Sequence, residues 1–376
     1  MLYDCPLSSA PADDPASADS MRIRRTLPIL IAVLVIAAVV AAIVLLLGQA
    51  PPEAARLLPG ADGFVYVNLK WIRSFSGTQL PPVSHDPEYQ QFVDATGFEF
   101  ERDLEEAAFA VHYPESWGSG TAGTSPETRF SEVFVGKFDS NRLLPYLKKI
   151  AASVEIYRNF DIYNIPQEGR TVRVAILSYD SVAVSNHPDS AVIHGILDRS
   201  RKLASPFAGP SLLRRFYREV PVASAAFAIL RIQPAGINSV AGFSVWTLLF
   251  PNPAVAVVSA RQLRNLHLRA EVFAGSDSDA QAIAEKAGTY LSLFDAAEGN
   301  VGAHGTDADV KALFDSLRVE HSGTRAIVTA TVPPGFIEKI LANPTGAAPT
   351  TEIPPNSPAP QSSPKASRPI KPSKAH

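Results

Sequence analysis

The sequence predicts an α+β protein in which an N-terminal transmembrane helix is followed by antiparallel β-meander sheets covered by helices. Three observations predict this class. The segment from Ile29 to Leu47 consists only of Ile, Leu, Val and Ala. Alternating apolar and polar residues, typical of half-buried strands, recur between residues 63 and 332. Helical patterns separate groups of strands rather than following each strand, which favours antiparallel meanders over parallel crossovers.

The apolar segment Ile29 to Leu47 is long enough to span a membrane. As a helix it reaches about 28 Å, close to the roughly 30 Å hydrocarbon core of a bilayer. A cleaved signal peptide is the alternative, but its apolar region is usually about 7 to 15 residues long and ends in a small-residue cleavage site. Pro51 and Pro52 follow here instead. The sequence therefore predicts a retained signal-anchor over 27–47, with the lipid bilayer as its partner.

The flanking charges predict the orientation of this helix. Arg22, Arg24 and Arg25 precede it, whereas the first charge after it is Glu53. The positive-inside rule then places the N-terminus in the cytoplasm and everything after the helix outside, as in a single-pass protein of the cell membrane. Residues 1–26 are expected to be a short disordered cytoplasmic segment, and translation from either Met1 or Met21 fits this topology.

Composition restricts the partners of the exported part. The net charge is −3, with acidic and basic residues interspersed, so no basic surface for nucleic acid is expected. The single cysteine, Cys5, precedes the apolar segment, and the exported part therefore forms no disulfide. Residues 48–60 are rich in proline and are predicted to be a linker.

Two similar α+β subdomains are predicted, over 61–219 and 220–343, because both run strand, helix, hairpin, helix. In the first, Asp86 and Pro87 are typical of a helix start, and Gly97 of its end. Its strands are expected at 63–69, 105–112, 131–138, 154–157, 160–165, 171–177 and 181–185, and its helices at 87–97, 139–150, 187–203 and 211–220. In the second, strands are expected at 223–232, 254–260, 265–275 and in a hairpin over 318–332, and helices at 276–293, 310–317 and 334–341.

The last segment, 344–376, changes composition. Prolines recur among Ser, Ala and Thr, and a packed core cannot form from such residues. A disordered, Pro-rich tail is predicted, which is basic through Lys365, Arg368, Lys371 and Lys374.

Five segments between residues 63 and 334 carry a resemblance to a known family. They are GFVYVNL, FVDATGFEFERDLEEAAFAVH, EVFVGKFDSNRLLPYL, FDIYNIPQEGRTVRVAILSYDSVAVSN and VKALFDSLRVEHSGTRAIVTATVPP. The chain resembles an uncharacterised bacterial family of single-pass membrane-anchored extracytoplasmic proteins, a domain of unknown function. The resemblance implies a location in the cell envelope, and it implies no active site.

Candidate metal ligands do not group well. His187 and His194 are seven residues apart on a predicted helix, or about 10.5 Å along its axis, which is too far for both to bind one zinc ion. His194 and Asp198 supply at most half a site and are more typical of a solvated helix face. The acidic residues Glu99, Glu101, Asp103, Glu105 and Glu106 are interpreted as the polar side of a strand or turn.

Catalytic motifs are also missing from the sequence. It contains no G-x-S-x-G, H-E-x-x-H, Walker or G-x-G-x-x-G pattern, and the S-x-x-K match at 362–365 lies in the predicted tail. A dispersed triad such as Ser131, His112 and Asp180 stays open, because residues distant in the chain can meet in a fold. No catalytic, cofactor-binding or metal-binding residue is predicted, and no cofactor.

The leading interpretation is a membrane-anchored extracytoplasmic binding or scaffold protein of the bacterial envelope, without catalytic activity, whose partner is an envelope protein or polymer. Two alternatives remain: an envelope hydrolase with a dispersed active site, and a small-ligand receptor with a cleft between the two subdomains.

Overall fold

The computed structural model describes residues 50–76, 86–113, 128–201, 209–233, 249–301 and 308–342. Over these ranges the chain is α+β, with antiparallel strands and several helices, as predicted, and the strands form one large sheet where several meander sheets were predicted. The predicted segments 1–26 and 27–47 and the tail 344–376 lie outside these ranges. Among the described helices, none combines the length and the apolar character that crossing a bilayer requires.

Twelve strands form the sheet. They are β1 (Gly63–Asn68), β2 (Leu104–His112), β3 (Arg129–Gly136), β4 (Ser153–Tyr157), β5 (Phe160–Gln167), β6 (Arg170–Ile176), β7 (Ser181–Ser185), β8 (Ala226–Ile232), β9 (Ala254–Gln262), β10 (Leu266–Phe273), β11 (Arg318–Ser322) and β12 (Arg325–Val332). The α-helices are α1 (Glu53–Leu57), α2 (Leu69–Ser76), α3 (Pro87–Thr96), α4 (Phe100–Asp103), α5 (Ser140–Ile150), α6 (Ala191–Arg201), α7 (Ser211–Phe216), α8 (Asp277–Val301), α9 (Ala308–Ser316) and α10 (Pro334–Ala342).

The sheet runs β11-β12-β10-β9-β8-β1-β2-β3-β7-β6-β5-β4. From the central pair β1 and β8, each half of the chain places its first three strands side by side. The next strand of each half, β4 or β11, lies at the outer edge of the sheet, and the strands that follow it lie progressively closer to the centre. The two halves therefore share a topology, in line with the repeated order of elements in the sequence. They do not form separate sheets, because β1 and β8 pair with Val65 opposite Ala228.

The main core lies on one face of the sheet. Phe64 and Ile229 from the central strands are fully buried there against Ile193 of α6 and Leu213 of α7. Each such buried side chain contributes about 1.5–3 kcal/mol of hydrophobic free energy. On the opposite face, smaller clusters form, for example where Leu147 of α5 covers the outer strands of the first half.

The predicted linker over 48–60 is wrong for residues 53–58. Ala54, Ala55, Leu57 and Leu58 are buried in the main core, and Glu53–Leu57 is a helix. The flanking prolines and glycine favour a linker, but the apolar side chains between them have more to gain by packing on the sheet than by exposure to water. The folded part thus begins before residue 61.

Local sequence signals predict several elements correctly. The Asp86 carboxylate accepts a hydrogen bond from the Tyr89 N–H at 2.8 Å, and Gly97 adopts a left-handed conformation with φ of 72°. The predicted meander between residues 153 and 186 is present as β4 to β7, and its first turn is Arg158-Asn159.

Candidate functional site

A polar pocket of about 520 Å³ opens where β2 ends and the chain approaches α6. We call it the histidine pocket. It is lined by Gly60, Ala61, Asp62, His112, His187, Pro188, Asp189 and Val192. The pocket belongs to the first half of the chain, although Arg231 of β8 reaches Asp62 from the second half.

Three neighbouring strands place polar side chains behind the pocket wall. His112 is the last residue of β2, and Ser131 of β3 lies directly opposite Ser185 of β7. Residues two apart on a strand share a face, so all three side chains point to the same face as the buried Ala110 and Val133. Apolar packing on this face encloses the polar groups: Ser131 is 0%, Ser185 1% and His112 4% exposed.

These side chains form a hydrogen-bond chain. His112 Nε2 lies 3.0 Å from Ser131 Oγ, which lies 2.9 Å from Ser185 Oγ. The Ser185 hydroxyl also lies 3.5 Å from the Phe130 carbonyl, to which it can donate, and it accepts a bond from the His187 N–H at 3.3 Å. Buried polar groups without such partners would cost about 1–3 kcal/mol each.

The direction of this chain determines the tautomer of His112. Each hydroxyl carries one hydrogen. If Ser185 donates to the Phe130 carbonyl, Ser131 must donate to Ser185, and Ser131 then accepts from His112 Nε2–H. The other ring nitrogen, Nδ1, is then an acceptor. In the opposite direction Ser185 donates to Ser131 and Ser131 donates to Nε2, which leaves Nδ1–H as a donor, and the distances fit both directions. Within the described ranges, Nδ1 of His112 has no hydrogen-bond partner, and the ring lines the pocket.

His187 forms the adjacent wall. Its ring meets that of His112 edge to face, with centroids 5.0 Å apart. Its Nδ1 accepts a hydrogen bond from the Asp189 N–H at 3.1 Å, and its carbonyl accepts one from Arg173 at 2.7 Å. The bond from Arg173 ties the turn before α6 to β6.

Burial keeps both histidines neutral near pH 7. Desolvation, reinforced by the neighbouring His187, lowers the pKa of His112 to about 4, and the charge of Asp62 only partly offsets this. Desolvation also lowers the pKa of His187, with Arg129 and Arg173 acting in the same direction. The pocket therefore presents neutral imidazoles over the physiological pH range.

Asp62 connects the pocket to the centre of the sheet. Its backbone N–H donates to the Val111 carbonyl at 2.9 Å, and its carbonyl accepts from the Arg231 N–H at 2.8 Å. Its carboxylate accepts from the Tyr113 N–H at 3.0 Å and contacts the Arg231 guanidinium at 3.3 Å. This one residue thus links β1, β2 and β8.

The candidate triad is formed only in part. Ser131 and His112 meet, but Asp180 lies at the other end of β3, where its carbonyl accepts from the Gly136 N–H. The carboxylate of Asp180 is instead bonded to Ser178. Because the Ser131 side chain is fully enclosed and its hydroxyl is engaged by Ser185, it is not presented to a substrate as a nucleophile would need to be.

The predicted metal candidates occupy separate structural settings. His187 precedes α6, which begins at Ala191, so the prediction that it shares a helix with His194 is wrong. Nε2 of His194 lies 2.7 Å from Glu155, and Asp198 pairs with Arg158 at 2.9 Å. No group of three or more potential metal ligands occurs among the described residues.

The acidic residues between 99 and 106 are held by neighbours within the fold. Asp103 accepts hydrogen bonds from Arg102 and from the Glu99 N–H, and the Glu101 carboxylate accepts one from the Tyr89 hydroxyl at 2.6 Å. Glu105 pairs with Lys70 at 3.3 Å. The prediction that these residues form the polar side of a strand or turn is wrong for Asp103, which is buried at the end of the helix α4.

Sequence reasoning missed Asp62 and Ser185 as members of the pocket. Asp62 is a single acidic residue before a strand, and Ser185 is a serine at a strand end. Neither position carries a motif, and only the pairing of strands distant in the chain brings them to His112.

Comparisons with known proteins return little. No family model matches the chain, and no curated protein matches it. Among solved structures, crystal form I of TP0453 is similar at 11% sequence identity and a TM-score of 0.38, covering 78% of this chain and 98% of that chain. Crystal forms IV and III of TP0453 match at 11% identity with TM-scores of 0.39 and cover 98% and 99% of those chains. Similarity at this level carries no argument about function.

Proposed function

We propose that this chain is a non-catalytic binding protein of the bacterial envelope, anchored through Ile29 to Leu47, and that the histidine pocket is its ligand site. The anchor and the extracytoplasmic location rest on the apolar segment and its flanking arginines. The resemblance to an uncharacterised family of membrane-anchored envelope proteins agrees with this location.

One observation favours binding over catalysis. His112 offers a ring nitrogen to the pocket, while the hydroxyl behind it is enclosed and belongs to a closed hydrogen-bond chain. A rigid imidazole recognises a polar ligand group that complements this nitrogen and gains specificity, because a ligand without that group would leave the nitrogen unpaired. The partner is then an envelope protein or polymer that inserts a polar group.

In-cell photo-crosslinking tests this proposal. A photoreactive amino acid is placed at Val192, on the pocket wall, and in a matched chain at Gln281, an exposed position of α8. We expect a crosslinked product from Val192 that is absent from Gln281, with its chemistry identified by mass spectrometry. Identical results at the two positions would remove the support for the pocket as the binding site.

An envelope hydrolase remains the second candidate, because a serine hydroxyl 3.0 Å from an imidazole is the arrangement that activates a nucleophile. The enclosure of Ser131 argues against it. Labelling of the full chain by a fluorophosphonate probe distinguishes the two functions. The binding proposal predicts no labelling, whereas a hydrolase would be labelled in the wild type and not in Ser131→Ala.

The receptor with an apolar cleft between the halves has less support. Because β1 pairs with β8, the sheet is continuous from one half to the other and has no cleft between these two strands. The histidine pocket lies within the first half, and four of its eight lining residues are polar.

A further inference from the structure

The two outer strands of the sheet differ in chemistry. β11, at one edge, carries Arg318, Glu320 and His321, and charged side chains of this kind prevent an edge from pairing with another chain. β4, at the other edge, has the sequence SVEIY and contains no lysine, arginine or proline. The charged residue within β4, Glu155, is paired with His194, so the β4 edge carries fewer charged side chains than the β11 edge.

Two apolar side chains of β4 face solvent. Ile156 is 75% exposed and Val154 is 46% exposed. Because they are two residues apart on one strand, they lie on the same face of the sheet. An edge strand pairs with a neighbour on one side only, and an exposed apolar pair on such a strand is typical of a surface that accepts another strand.

The turn after β4 determines which backbone groups are free. Arg158 and Asn159 have φ of 48° and 68°, which is the geometry of a two-residue hairpin loop. Such a loop leaves the flanking pair, Tyr157 and Phe160, hydrogen-bonded to each other. Pairing then alternates along the strand. The N–H and C=O groups of Val154 and Ile156 consequently point outward from the sheet.

We propose that β4 is a self-association surface, at which β4 of a second copy of this chain pairs antiparallel with Glu155 opposite Glu155. In this register Val154 of each copy is opposite Ile156 of the other, so all outward backbone groups of both residues are bonded. The apolar side chains also form two cross-strand pairs on one face. Shifting the register by two residues in either direction leaves one of these two residues without an equivalent partner. The full length of β4 is used only in the proposed register.

The central glutamates are already paired within each copy. Nε2 of His194 lies 2.7 Å from the Glu155 carboxylate, and the His194 ring stacks on Tyr157 with centroids 3.8 Å apart. These contacts draw each carboxylate toward α6 of its own chain, on the face opposite to Val154 and Ile156. The contact between the two copies is thus made by the apolar face and the backbone.

Disulfide trapping tests both the association and its register. In a Cys5→Ser background, Glu155→Cys places two sulfurs across a pair whose Cα atoms are about 4.5 Å apart, within the range of about 4.4–6.8 Å that a disulfide requires. We expect the full-length chain in membranes to form a covalent dimer on mild oxidation. Ile156→Cys and Val222→Cys, the latter at a 62% exposed position away from β4, should form no covalent dimer. A monomeric Glu155→Cys chain, or equal trapping of Ile156→Cys, overturns the proposal.

A non-covalent measurement avoids reliance on cysteine chemistry. We expect the detergent-solubilised full chain to sediment as a dimer, and Ile156→Lys to become monomeric. Leu263→Lys, at another 58% exposed apolar position, should stay dimeric. Exposed side chains of this kind change stability little, so loss of the dimer reports on the edge. A monomeric wild type, or a dimeric Ile156→Lys chain, contradicts the proposal.

Discussion

His112 and Ser131 are 19 residues apart in sequence, yet Nε2 of the first lies 3.0 Å from Oγ of the second, with both side chains enclosed. The Ser131 hydroxyl is in turn hydrogen-bonded to the Ser185 hydroxyl, so the imidazole is held by a chain of hydroxyl groups across three strands. This arrangement holds the His112 ring in place and presents its other nitrogen to the pocket. It also makes the pocket wall sensitive to the loss of single polar atoms.

Replacing Ser131 by alanine should destabilise the fold by about 1–3 kcal/mol, because both His112 Nε2 and Ser185 Oγ lose a buried partner. The free energy of unfolding of the full chain in urea measures the effect. Ser259→Ala is the matched control: it removes a buried serine whose hydroxyl makes one long bond of 3.4 Å, and a smaller loss is expected. Equal losses in both variants would contradict the importance of the hydroxyl chain.

Lowering the pH should destabilise the fold through His112. Its pKa is about 4 in the fold, against 6.5 for an ordinary histidine, so between these values the unfolded chain binds more protons. Stability is therefore present above pH 6.5 and declines as the pH falls toward 4, by about 3 kcal/mol in total.

Measurements of the free energy of unfolding at pH 7.5 and pH 4.5 check this expectation. His112→Gln should reduce the difference between the two pH values, because glutamine does not titrate. His321→Gln, at an exposed position of β11, serves as the control. An unchanged pH dependence in His112→Gln would show that other groups cause it.

Glu132 should have the opposite pH dependence. It lies on β3 opposite Phe109 and Val184, and desolvation alone raises its pKa to about 7 from 4.5. The folded chain then binds more protons between these values, so this residue lowers stability as the pH rises through 7. Glu132→Gln should be more stable than wild type by about 1–3 kcal/mol at pH 8 and equal to it near pH 4.

The comparison with Glu320→Gln, an exposed carboxyl on β11, separates burial from a general effect of charge. That variant should change the free energy of unfolding little at either pH. The account of Glu132 fails if its substitution destabilises the chain at pH 8.

Removing Arg231 should cost about 1–3 kcal/mol, because the buried Asp62 carboxylate loses its counter-ion while Arg231 itself is half exposed. Arg231→Ala combined with Asp62→Asn should recover part of that loss, since the amide carries no charge. A double-mutant cycle on urea unfolding measures the coupling. Strict additivity of the two substitutions would show that the pair does not interact.

Gly136 should not tolerate a side chain. A Cβ there would lie 2.7 Å from the Asp103 carbonyl and 3.2 Å from the Leu104 Cα, so backbone would have to move. Gly136→Ala is expected to lose about 1–3 kcal/mol. Gly288→Ala, in an open position of α8, should instead gain roughly 0.5–1 kcal/mol through helix propensity. Thermal unfolding of both variants checks the opposite signs.

Most strands and helices follow from local signals, whereas their arrangement does not. The alternation in β5 to β7 and the cap at Asp86 are encoded by neighbouring residues. The central pairing of β1 with β8 joins residues more than 150 positions apart, and no local pattern specifies it. The same reason explains the pocket: Ser131 and His112 are predictable candidates, but their true neighbours, Asp62 and Ser185, become visible only through strand register.

The burial of α1 is a further case in which tertiary packing overrides a local signal. Prolines and a glycine surround this segment and favour a linker, but Leu57 and Leu58 fill space over the central strands. Hydrophobic burial against a sheet that forms elsewhere in the chain decides the outcome.

The proposed orientation of the chain across a membrane offers the most direct test of the proposed role. Two reporters are fused after His376 in separate chains. Alkaline phosphatase is active only outside the cytoplasm. Green fluorescent protein fluoresces in the cytoplasm but stays dark when it is exported unfolded. The account predicts an active phosphatase and a dark fluorescent protein, both in the membrane fraction. An inactive phosphatase together with a bright fluorescent protein would contradict it.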